Sequence, residues 1–248
     1  MKLDQFFKDN PKVAIAFSGG VDSAYLLYAA IQSGADVKAY YVKTAFQPEF
    51  ELEDALRLAE ELGANLELIP IDILCHSEIT SNPADRCYHC KMKLMSSISE
   101  KAKQDGYPLL LDGTNASDDA ADRPGMQALQ QLSVRSPLRE CGLAKDEIRK
   151  RSKAAGLFTF DKPAYACLAT RIPTGETITA QKLQRTELAE SYLFSLGLRD
   201  FRVRSQENTA KLQVTDADLR TVMASRETIV TELKKYYSCV TLDLEVRK

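Results

Sequence analysis

Short apolar runs alternate with amphipathic stretches through the first half of the chain. The runs are about four to eight residues long and predict β-strands over Lys12–Phe17, Asp36–Lys43, Asn65–Asp72 and Pro108–Asp112. The stretches between them predict helices over Asp22–Ser33, Glu49–Leu62 and Lys91–Lys103. Strands separated by helices of this length are typical of βαβ units. We therefore expect an α/β fold, with a parallel sheet covered by helices on both faces.

The pattern changes after about Gly113. The next residues are polar and predict a long loop with one short helix, and a helix over Lys145–Ala155 follows. The C-terminal part predicts a helix from its N-cap Thr179 to Leu196, a hairpin of Phe201–Gln206 with Thr209–Thr215, a helix over Asp216–Lys235 and a strand over Cys239–Val246. These patterns predict an α/β domain over residues 1–160, a linker over residues 161–178 and a small α+β domain over residues 179–248.

Composition and charge exclude several classes of protein. Hydrophobic residues make up 44% of the 248 residues and charged residues 27%, which excludes a disordered or fibrous chain. No uncharged apolar run approaches the ~20 residues needed to span a bilayer, so no membrane partner is expected. The first residues, MKLDQFFKDNPK, contain no apolar signal core, and we expect a cytoplasmic protein. The formal net charge of -2 argues against a nucleic-acid partner and favours small molecules.

The strongest local motif is Ser18-Gly19-Gly20-Val21-Asp22-Ser23, between a predicted strand and a predicted helix. Its glycines allow a tight turn whose N–H groups converge, and the helix directs its positive end to the same place, so the motif should bind an anion. It contains neither the lysine of the G-x-x-x-x-G-K-[ST] loop nor the G-x-G-x-x-G fingerprint. The alternative is an ordinary glycine turn.

Gly113 and Thr114 follow the fourth predicted strand, at the carboxyl edge where open α/β sheets bind ligands.

Six cysteines in a cytosolic chain are not expected to form disulfides, because the cytosol keeps thiols reduced. Cys87 and Cys90 form a C-x-x-C pair just before a predicted helix, and Cys167 lies in the predicted linker. Closed zinc sites need four protein ligands, whereas three cysteines suit an iron–sulfur cluster with one open iron. From the residues alone, a cluster, zinc and free thiols all stay open. Cys75, Cys141 and Cys239 are expected to be incidental thiols.

The motif SGGVDS resembles the PP-loop of the N-type ATP pyrophosphatases. That resemblance implies a five-stranded parallel sheet, ATP as substrate and release of pyrophosphate into the loop. It also implies that Asp22 helps to hold Mg²⁺ and that Thr44 borders the adenine. Asp118 and Asp119 are candidates for further Mg²⁺ ligands, with a solvated acidic loop as the alternative.

Five stretches together resemble the LarE family of ATP-dependent sulfurtransferases: SGGVDS, GTNASDDAADRPG, SPLRECGLAKDEIRK, DKPAYACLATRIPTGE and FRVR. The resemblance covers nearly the whole chain. It implies that a carboxylate of pyridinium-3,5-biscarboxylic acid mononucleotide is adenylated and converted to a thiocarboxylate, in the synthesis of the nickel-pincer cofactor of lactate racemase. Some members sacrifice the sulfur of one cysteine, which matches Cys167. Because Cys87 and Cys90 are also present, this chain resembles the branch that binds a [4Fe-4S] cluster to relay sulfide. The family also suggests a homo-oligomer.

The same resemblance implies a substrate that carries a phosphate and carboxylates. Arg202 and Arg204 alternate along a predicted strand and therefore share one face, where they offer forked donors to a phosphate. Thr170 and Arg171 follow Cys167 closely enough to contact the same ligand, and Glu190 is expected near a subunit interface or a metal. Two other enzymes stay open as alternatives: a tRNA-thiolating PP-loop enzyme and an amide-forming PP-loop ligase. A nucleotide sensor without turnover is the third alternative.

Overall fold

A computed structural model describes residues 2–118 and 124–247 of the chain. These residues form two compact units. The first contains the chain up to Thr44, Glu49–Asp72 and Asp85–Lys162. The second contains Ala45–Pro48, Ile73–Ala84 and the chain from Pro163 onward.

The first unit is built on a parallel sheet. Its four strands lie in the order β3-β2-β1-β4 and comprise β1 (Lys12–Ala16), β2 (Asp36–Lys43), β3 (Asn65–Pro70) and β4 (Leu110–Leu111). Alternate residues of β2 enter opposite cores: Tyr41 packs in one apolar cluster and Tyr40 in the other. Both faces of the sheet are therefore covered, as the continuous apolar runs predict.

The predicted parallel α/β architecture is confirmed for four strands. Beyond β4, the described residues contain a single parallel bridge between Leu111 and Arg135 in place of a fifth strand. The segment around Arg135 is polar and enters the short helix that begins at Pro137, so it is too short to form a ladder.

The predicted helices are present with two corrections, and the described residues also contain three short helices that were not predicted. In chain order the helices are α1 (Leu3–Asp9), α2 (Val21–Gln32), α3 (Glu49–Leu62), α4 (Ser77–Thr80), α5 (Arg86–Gln104), α6 (Pro124–Gln131), α7 (Pro137–Glu140), α8 (Lys145–Ala154), α9 (Ala180–Ser195), α10 (Asp216–Ala224) and α11 (Arg226–Leu233). The unpredicted helices are α1, α4 and α7. Helix α5 begins before the predicted Lys91, because Asp85 occupies the N-cap position and no breaker follows it. The predicted helix over Asp216–Lys235 is two helices, since Ser225 is both the C-cap residue of α10 and the N-cap residue of α11.

The second unit packs its helices against a small sheet of three strands in the order β5-β6-β7. These are β5 (Phe201–Gln206), β6 (Thr209–Val214) and β7 (Cys239–Leu242). The predicted hairpin is confirmed, since β5 and β6 are antiparallel, and β7 runs parallel to β6. Thr179 caps α9 as predicted, because its side chain accepts a hydrogen bond from the Lys182 N–H.

Two short segments from the first half of the chain belong to this second unit. The Leu168 N–H donates to the Phe46 carbonyl at 2.9 Å, and the Ile178 N–H donates to the Thr80 carbonyl at 2.8 Å. Asn82 is buried, and its Nδ2 donates to the Pro173 carbonyl at 2.7 Å. The stretch that contains Cys167 is therefore tied by backbone hydrogen bonds to residues far away in sequence.

None of the helices in the described part of the chain combines the length and apolar character needed to cross a membrane.

Candidate active site

A glycine loop connects β1 to α2. Gly19 has a φ of +71°, and a Cβ atom there would lie 3.1 Å from the Cβ of Ala55. Glycine is therefore required at this position for both its conformation and its space. Gly20 is the N-cap of α2, so the first N–H groups of the helix, which have no partners within the helix, are presented at the loop.

Two serine hydroxyls hold the loop in its shape. The Oγ atoms of Ser18 and Ser23 are 3.0 Å apart, and the Ser18 N–H donates to the Ser23 Oγ at 3.2 Å. The Ser23 hydroxyl also donates to the Gly20 carbonyl at 3.2 Å. Val21 is buried and begins the helix. These bonds fix the backbone N–H groups of the loop in place, an arrangement that suits an anion.

Gly113 brings the end of β4 against this loop. A Cβ atom on Gly113 would lie 2.9 Å from the Ser23 nitrogen, closer than side chains and backbone normally approach. Strand β4 lies beside β1 and on the other side from β2, so the strand order reverses at this point. Open α/β sheets bind ligands at the carboxyl ends of strands where the order reverses. The predicted residues Gly113 and Thr114 therefore lie at the expected place.

Asp112 organises the backbone beside Gly113. Its Oδ2 accepts a hydrogen bond from the Thr114 hydroxyl at 2.5 Å, and its Oδ1 accepts one from the Ser136 hydroxyl at 2.6 Å. Both Asp112 and Thr114 are buried. The carboxylate is thus engaged in shaping the β4 loop, a structural role that sequence inspection missed.

A cavity of about 280 Å³ opens between the glycine loop and the β4 loop. It is lined by Ala16, Ser18, Gly20, Asp22, Ser23, Lys91, Met95, Asp112, Gly113, Thr114 and Asp118. Lys91 and Met95 come from α5 and were not among the predicted site residues. Thr44 is buried and directly follows β2. The cavity is near the lower limit of small-molecule sites, which are about 300–1,000 Å³.

Asp22 is paired with Lys145, a residue that sequence reasoning missed. The Lys145 Nζ lies 2.5 Å from the Asp22 Oδ2, and the Asn115 amide donates to the Asp22 Oδ1 at 3.4 Å. Lys145 begins α8, and its N–H donates to the Ser117 Oγ at 2.9 Å. Lys145 therefore places a positive charge beside the glycine loop, whose motif contains no lysine. The sequence did offer one indication of its importance, because Lys145 lies in SPLRECGLAKDEIRK, one of the five stretches that carry the family resemblance.

The carboxylates suited to Mg²⁺ are Asp22 and Asp118. Both line the cavity, and the Asp118 Oδ2 accepts a hydrogen bond from the Asn115 N–H at 2.9 Å. Carboxylate oxygens are the ligands that Mg²⁺ prefers. The predicted ligand Asp119 lies outside the described residues.

The three predicted cluster ligands belong to different units. Cys87 and Cys90 lie in the first turns of α5, three residues apart and so on one face of the helix. Cys167 directly precedes a 3₁₀-helix, Leu168–Arg171, in the second unit. Within residues 2–118 and 124–247, no three His, Cys, Asp or Glu side chains are grouped as metal ligands. The thiol donors have the chemistry that an iron–sulfur cluster needs, and the cluster stays a prediction.

A buried polar network surrounds the Cys167 stretch within the second unit. Arg171 and Glu190 form a two-point ion pair, with Nε–Oε1 at 2.7 Å. The Tyr165 hydroxyl donates to the Glu190 Oε2 at 2.5 Å, and the Val203 N–H donates to its Oε1 at 2.8 Å. Glu190 is 2% exposed. Its carboxylate is therefore fully engaged with protein donors, and Tyr165 is a member of the network that the sequence did not reveal.

Arg202 and Arg204 project from β5 to the same stretch. Arg202 donates to the Ala164 carbonyl at 2.5 Å, and Arg204 donates to the Thr170 carbonyl at 2.6 Å. Thr170 also donates to the Cys167 carbonyl at 2.8 Å. Burial, followed by repulsion from Arg171, lowers the pKa of Arg202 to about 10 and lowers that of Arg204 in the same direction. The guanidinium groups are thus crowded together, an arrangement that favours a bound anion.

The glycine loop at the switch point of a parallel sheet defines a nucleotide-binding α/β protein of the PP-loop class. No model of a known protein family matches the chain. The chain is 39% identical to an uncharacterized protein of Synechocystis sp., over 98% of this chain and 92% of that protein. It is 32% identical to the pyridinium-3,5-bisthiocarboxylic acid mononucleotide synthase of Lactiplantibacillus plantarum, over 96% of this chain and 87% of that protein.

A more distant match supports the PP-loop class. The tRNA-specific 2-thiouridylase MnmA of a Thermotoga species is 32% identical, over 32% of this chain and 28% of that enzyme. The chain belongs to the LarE family, that of the Lactiplantibacillus plantarum synthase, because the similarity to that enzyme extends over almost the full length of both proteins.

Proposed function

We propose that the protein is an ATP-dependent sulfurtransferase that converts a carboxylate of pyridinium-3,5-biscarboxylic acid mononucleotide to a thiocarboxylate. The observation that carries this proposal is the 32% identity to the bisthiocarboxylic acid mononucleotide synthase over 96% of the chain. The product serves the synthesis of the nickel-pincer cofactor of lactate racemase.

ATP is the activating substrate, and its phosphates are received by Ser18–Ser23. The loop offers backbone N–H groups, and Lys91 lines the same cavity. Lys145 adds a second positive charge through its pair with Asp22, which also lines the cavity. Mg²⁺, held by Asp22 and Asp118, supplies neutralisation of the phosphate charge when it is bound. In this proposal Lys145, whose Nζ lies 2.5 Å from the Asp22 Oδ2, would provide a positive charge for the phosphates of ATP.

Adenylation uses the loop as a site for the leaving group. A carboxylate oxygen of the substrate attacks the α-phosphorus of ATP, the bond between that phosphorus and the bridging oxygen breaks, and pyrophosphate leaves with the bonding electrons. The donors at Gly19 and Gly20 stabilise the charge that develops on the pyrophosphate. The product of this step is an acyl-adenylate, which is a good acylating agent.

Sulfur transfer completes the reaction. A nucleophilic sulfur attacks the activated carbonyl, the C–O bond to AMP breaks, and a thiocarboxylate forms. The substrate phosphate is received by Arg202 and Arg204. Thr170, Arg171 and Glu190 shape the surroundings of these two arginines within the second unit. We infer that Cys87, Cys90 and Cys167 hold a [4Fe-4S] cluster, whose thiolate donors they supply. When bound, such a cluster would relay sulfide from solution to the activated substrate.

The proposal extends to a cytoplasmic homo-oligomer that binds no nucleic acid. A sequence charge of -2 supports the last point, because strong binding to nucleic acid needs an excess of positive charge. MnmA relatives match a smaller share of this chain, from 32% to 61%, than the Lactiplantibacillus plantarum synthase, which matches 96% of it.

The test is an anaerobic assay of the full chain with ATP, Mg²⁺, sulfide and the pyridinium substrate. We expect pyrophosphate release that depends on the substrate, and a product whose mass shows one oxygen replaced by sulfur. The Asp22→Asn variant should lose both activities, whereas Asp9→Asn, an exposed change in α1, should retain them. Release of pyrophosphate without any sulfur in the product would reject the transfer, and sulfur in added tRNA would favour the thiouridylase alternative.

A further inference from the structure

A second cavity lies entirely within the second unit. Its volume is about 340 Å³, larger than that of the glycine-loop cavity, and the two share no lining residue. Its lining residues are Gln181, Gln184, Arg185 and Leu188 from α9, Asn208 from the turn between β5 and β6, and Lys235 and Tyr236 from the turn that follows α11. The four residues of α9 follow the spacing i, i+3, i+4 and i+7 and therefore form one face of the helix. None of them takes part in the reaction proposed above.

Arg185 is held in a fixed orientation at this cavity. Its guanidinium lies over the ring of Tyr237, with 4.5 Å between the Cζ and the ring centroid. Its NH1 donates to the Asn208 Oδ1 at 3.2 Å, and its NH2 donates to the Ser205 Oγ at 2.8 Å and to the Glu207 carbonyl. The side chain therefore gives up its rotational freedom in the folded chain, which lowers the entropic cost of binding a ligand.

The charge of Arg185 is not neutralised by these contacts. All of these hydrogen-bond acceptors are neutral oxygens, and the described residues contain no carboxylate paired with Arg185. This arrangement differs from that of Arg171, whose charge is matched by Glu190. A fixed guanidinium without a carboxylate favours an anionic ligand, because forked N–H groups match carboxylate and phosphate oxygens.

The other lining residues agree with a small anion. Lys235 adds a second cation, and its contact with Glu232 is exposed, with 58% of the lysine side chain accessible, so the lysine exchanges partners readily. Gln181, Gln184 and Asn208 offer amide groups, and no lining residue is acidic. Leu188 is 43% exposed and, with Tyr236, gives the cavity an apolar side. A volume of this size accommodates a small organic molecule.

We propose that this cavity binds a small organic anion, whose carboxylate or phosphate group contacts Arg185 and Lys235 and whose apolar part contacts Leu188 and Tyr236. It is a second ligand site, distinct from the nucleotide site of the first unit. The proposal does not depend on the sulfurtransferase reaction, and it stands or fails by direct binding.

The chain contains no tryptophan, so the Tyr236→Trp variant carries one indole that reports on this cavity alone. Titration of this full-length variant with inorganic phosphate and with benzoate, against sodium chloride at equal ionic strength, should give a saturable fluorescence change with at least one of the two anions. A response to benzoate alone assigns a carboxylate ligand, and a response to phosphate assigns a phosphate ligand. No saturable response to either anion overturns the proposal.

Charge variants in the same reporter background show whether Arg185 is responsible. Arg185→Gln should weaken binding at least about tenfold, since a charge-assisted hydrogen bond is lost. Lys235→Gln, an exposed change that leaves the fold intact, should weaken it about threefold. Arg220→Gln removes the same charge from an exposed position on α10 and should leave the affinity unchanged. Equal affinity in Lys235→Gln, Arg185→Gln and Arg220→Gln overturns the proposal.

Discussion

Arg171 and Glu190 meet in the interior of the second unit, where the side chains are 0% and 2% exposed. The Arg171 NH2 lies 3.0 Å from the Glu190 Oε2, in addition to the shorter contact from Nε. Burial alone lowers the pKa of Arg171, but the carboxylate outweighs it and raises that pKa above its ordinary value. Arg171 also donates to the Ala166 carbonyl at 3.0 Å. The ion pair therefore fixes the backbone immediately before Cys167, and Glu190 acts as a positioning residue.

Replacement of Glu190 by glutamine should destabilise the protein strongly. Glu190→Gln leaves the Arg171 charge buried without a carboxylate, and removing one partner of a buried pair costs about 3–5 kcal/mol. Urea denaturation measures this loss. The same variant should increase the alkylation rate of Cys167, because the preceding backbone is no longer fixed. Glu227→Gln, at a side chain that is 88% exposed, is the matched control and should change neither quantity. Unchanged stability in Glu190→Gln would show that the pair contributes little.

Replacement of Gly113 by alanine should impair ATP binding without changing any charge. The added Cβ would lie 2.9 Å from the Ser23 nitrogen, so the β4 loop and the glycine loop must separate. We expect a loss of about 1–3 kcal/mol in stability and at least a tenfold increase in the KM for ATP. Pyrophosphate-release kinetics measure the second effect.

The control for Gly113→Ala is a glycine-to-alanine change that strains the backbone but brings the new Cβ atom into contact with no other residue. Gly34 has a φ of +75°, and a Cβ atom added there would meet no atom within 4 Å. Gly34→Ala should therefore cost about 1–2 kcal/mol of stability and leave the KM for ATP unchanged. If Gly113→Ala and Gly34→Ala have equal KM values for ATP, the close contact of Gly113 with Ser23 does not matter for ATP binding.

Removal of the Lys145 charge should weaken the use of ATP. Lys145→Gln deletes the cation that lies 2.5 Å from the Asp22 carboxylate beside the glycine loop. We expect kcat/KM for ATP to fall at least about tenfold, which corresponds to about 1.4 kcal/mol of lost stabilisation. Lys150→Gln, an exposed change on the same helix, should have no such effect. If both variants retain full activity, Lys145 does not contact the phosphates.

As the pH rises, the thiol of Cys141 should react with iodoacetamide more slowly than the thiols of Cys75 and Cys239. Burial raises the pKa of Cys141, so its reactive thiolate appears only above the pH at which an ordinary thiol ionises. Cys75 and Cys239 are exposed and serve as internal references. Alkylation followed by peptide mass spectrometry near pH 9 should show Cys141 lagging behind both. Equal rates at every pH would contradict the burial of this thiol.

The sequence predicted the parts of the fold that depend on local pattern. β1, β2 and α3 were located closely, because buried strands and amphipathic helices leave their periodicity in the chain. The glycine loop was located from its motif, and the structure explains Gly19, whose φ of +71° is one that a residue with a side chain rarely adopts. Ser225 shows the limit of pattern: apolar spacing continues through it, and only the backbone geometry separates α10 from α11.

Contacts between distant residues were beyond the reach of the sequence. Asp22 and Lys145 are 123 positions apart, and no periodicity relates them. In the sequence, nothing distinguishes Tyr165 from other aromatic residues, but in the structure its hydroxyl donates a hydrogen bond to Glu190. Phe46 and Thr80 lie in the first half of the sequence, and their place in the second unit becomes apparent only from their hydrogen bonds to Leu168 and Ile178. These contacts form only when the chain packs into its tertiary structure, and no local pattern in the sequence indicates them.

The discontinuous second unit has a consequence for how the protein is made. During synthesis, the segments Ala45–Pro48 and Ile73–Ala84 leave the ribosome long before the residues after Pro163 with which they pack. Phe46, Ile73 and Ile79 are each at most 1% exposed in the finished protein, so their apolar side chains stay uncovered while the intervening chain is translated. Non-local pairing of this kind slows folding and prolongs the time during which nascent chains can aggregate. Translation speed and chaperone supply should therefore govern the yield of native protein more than the final stability does.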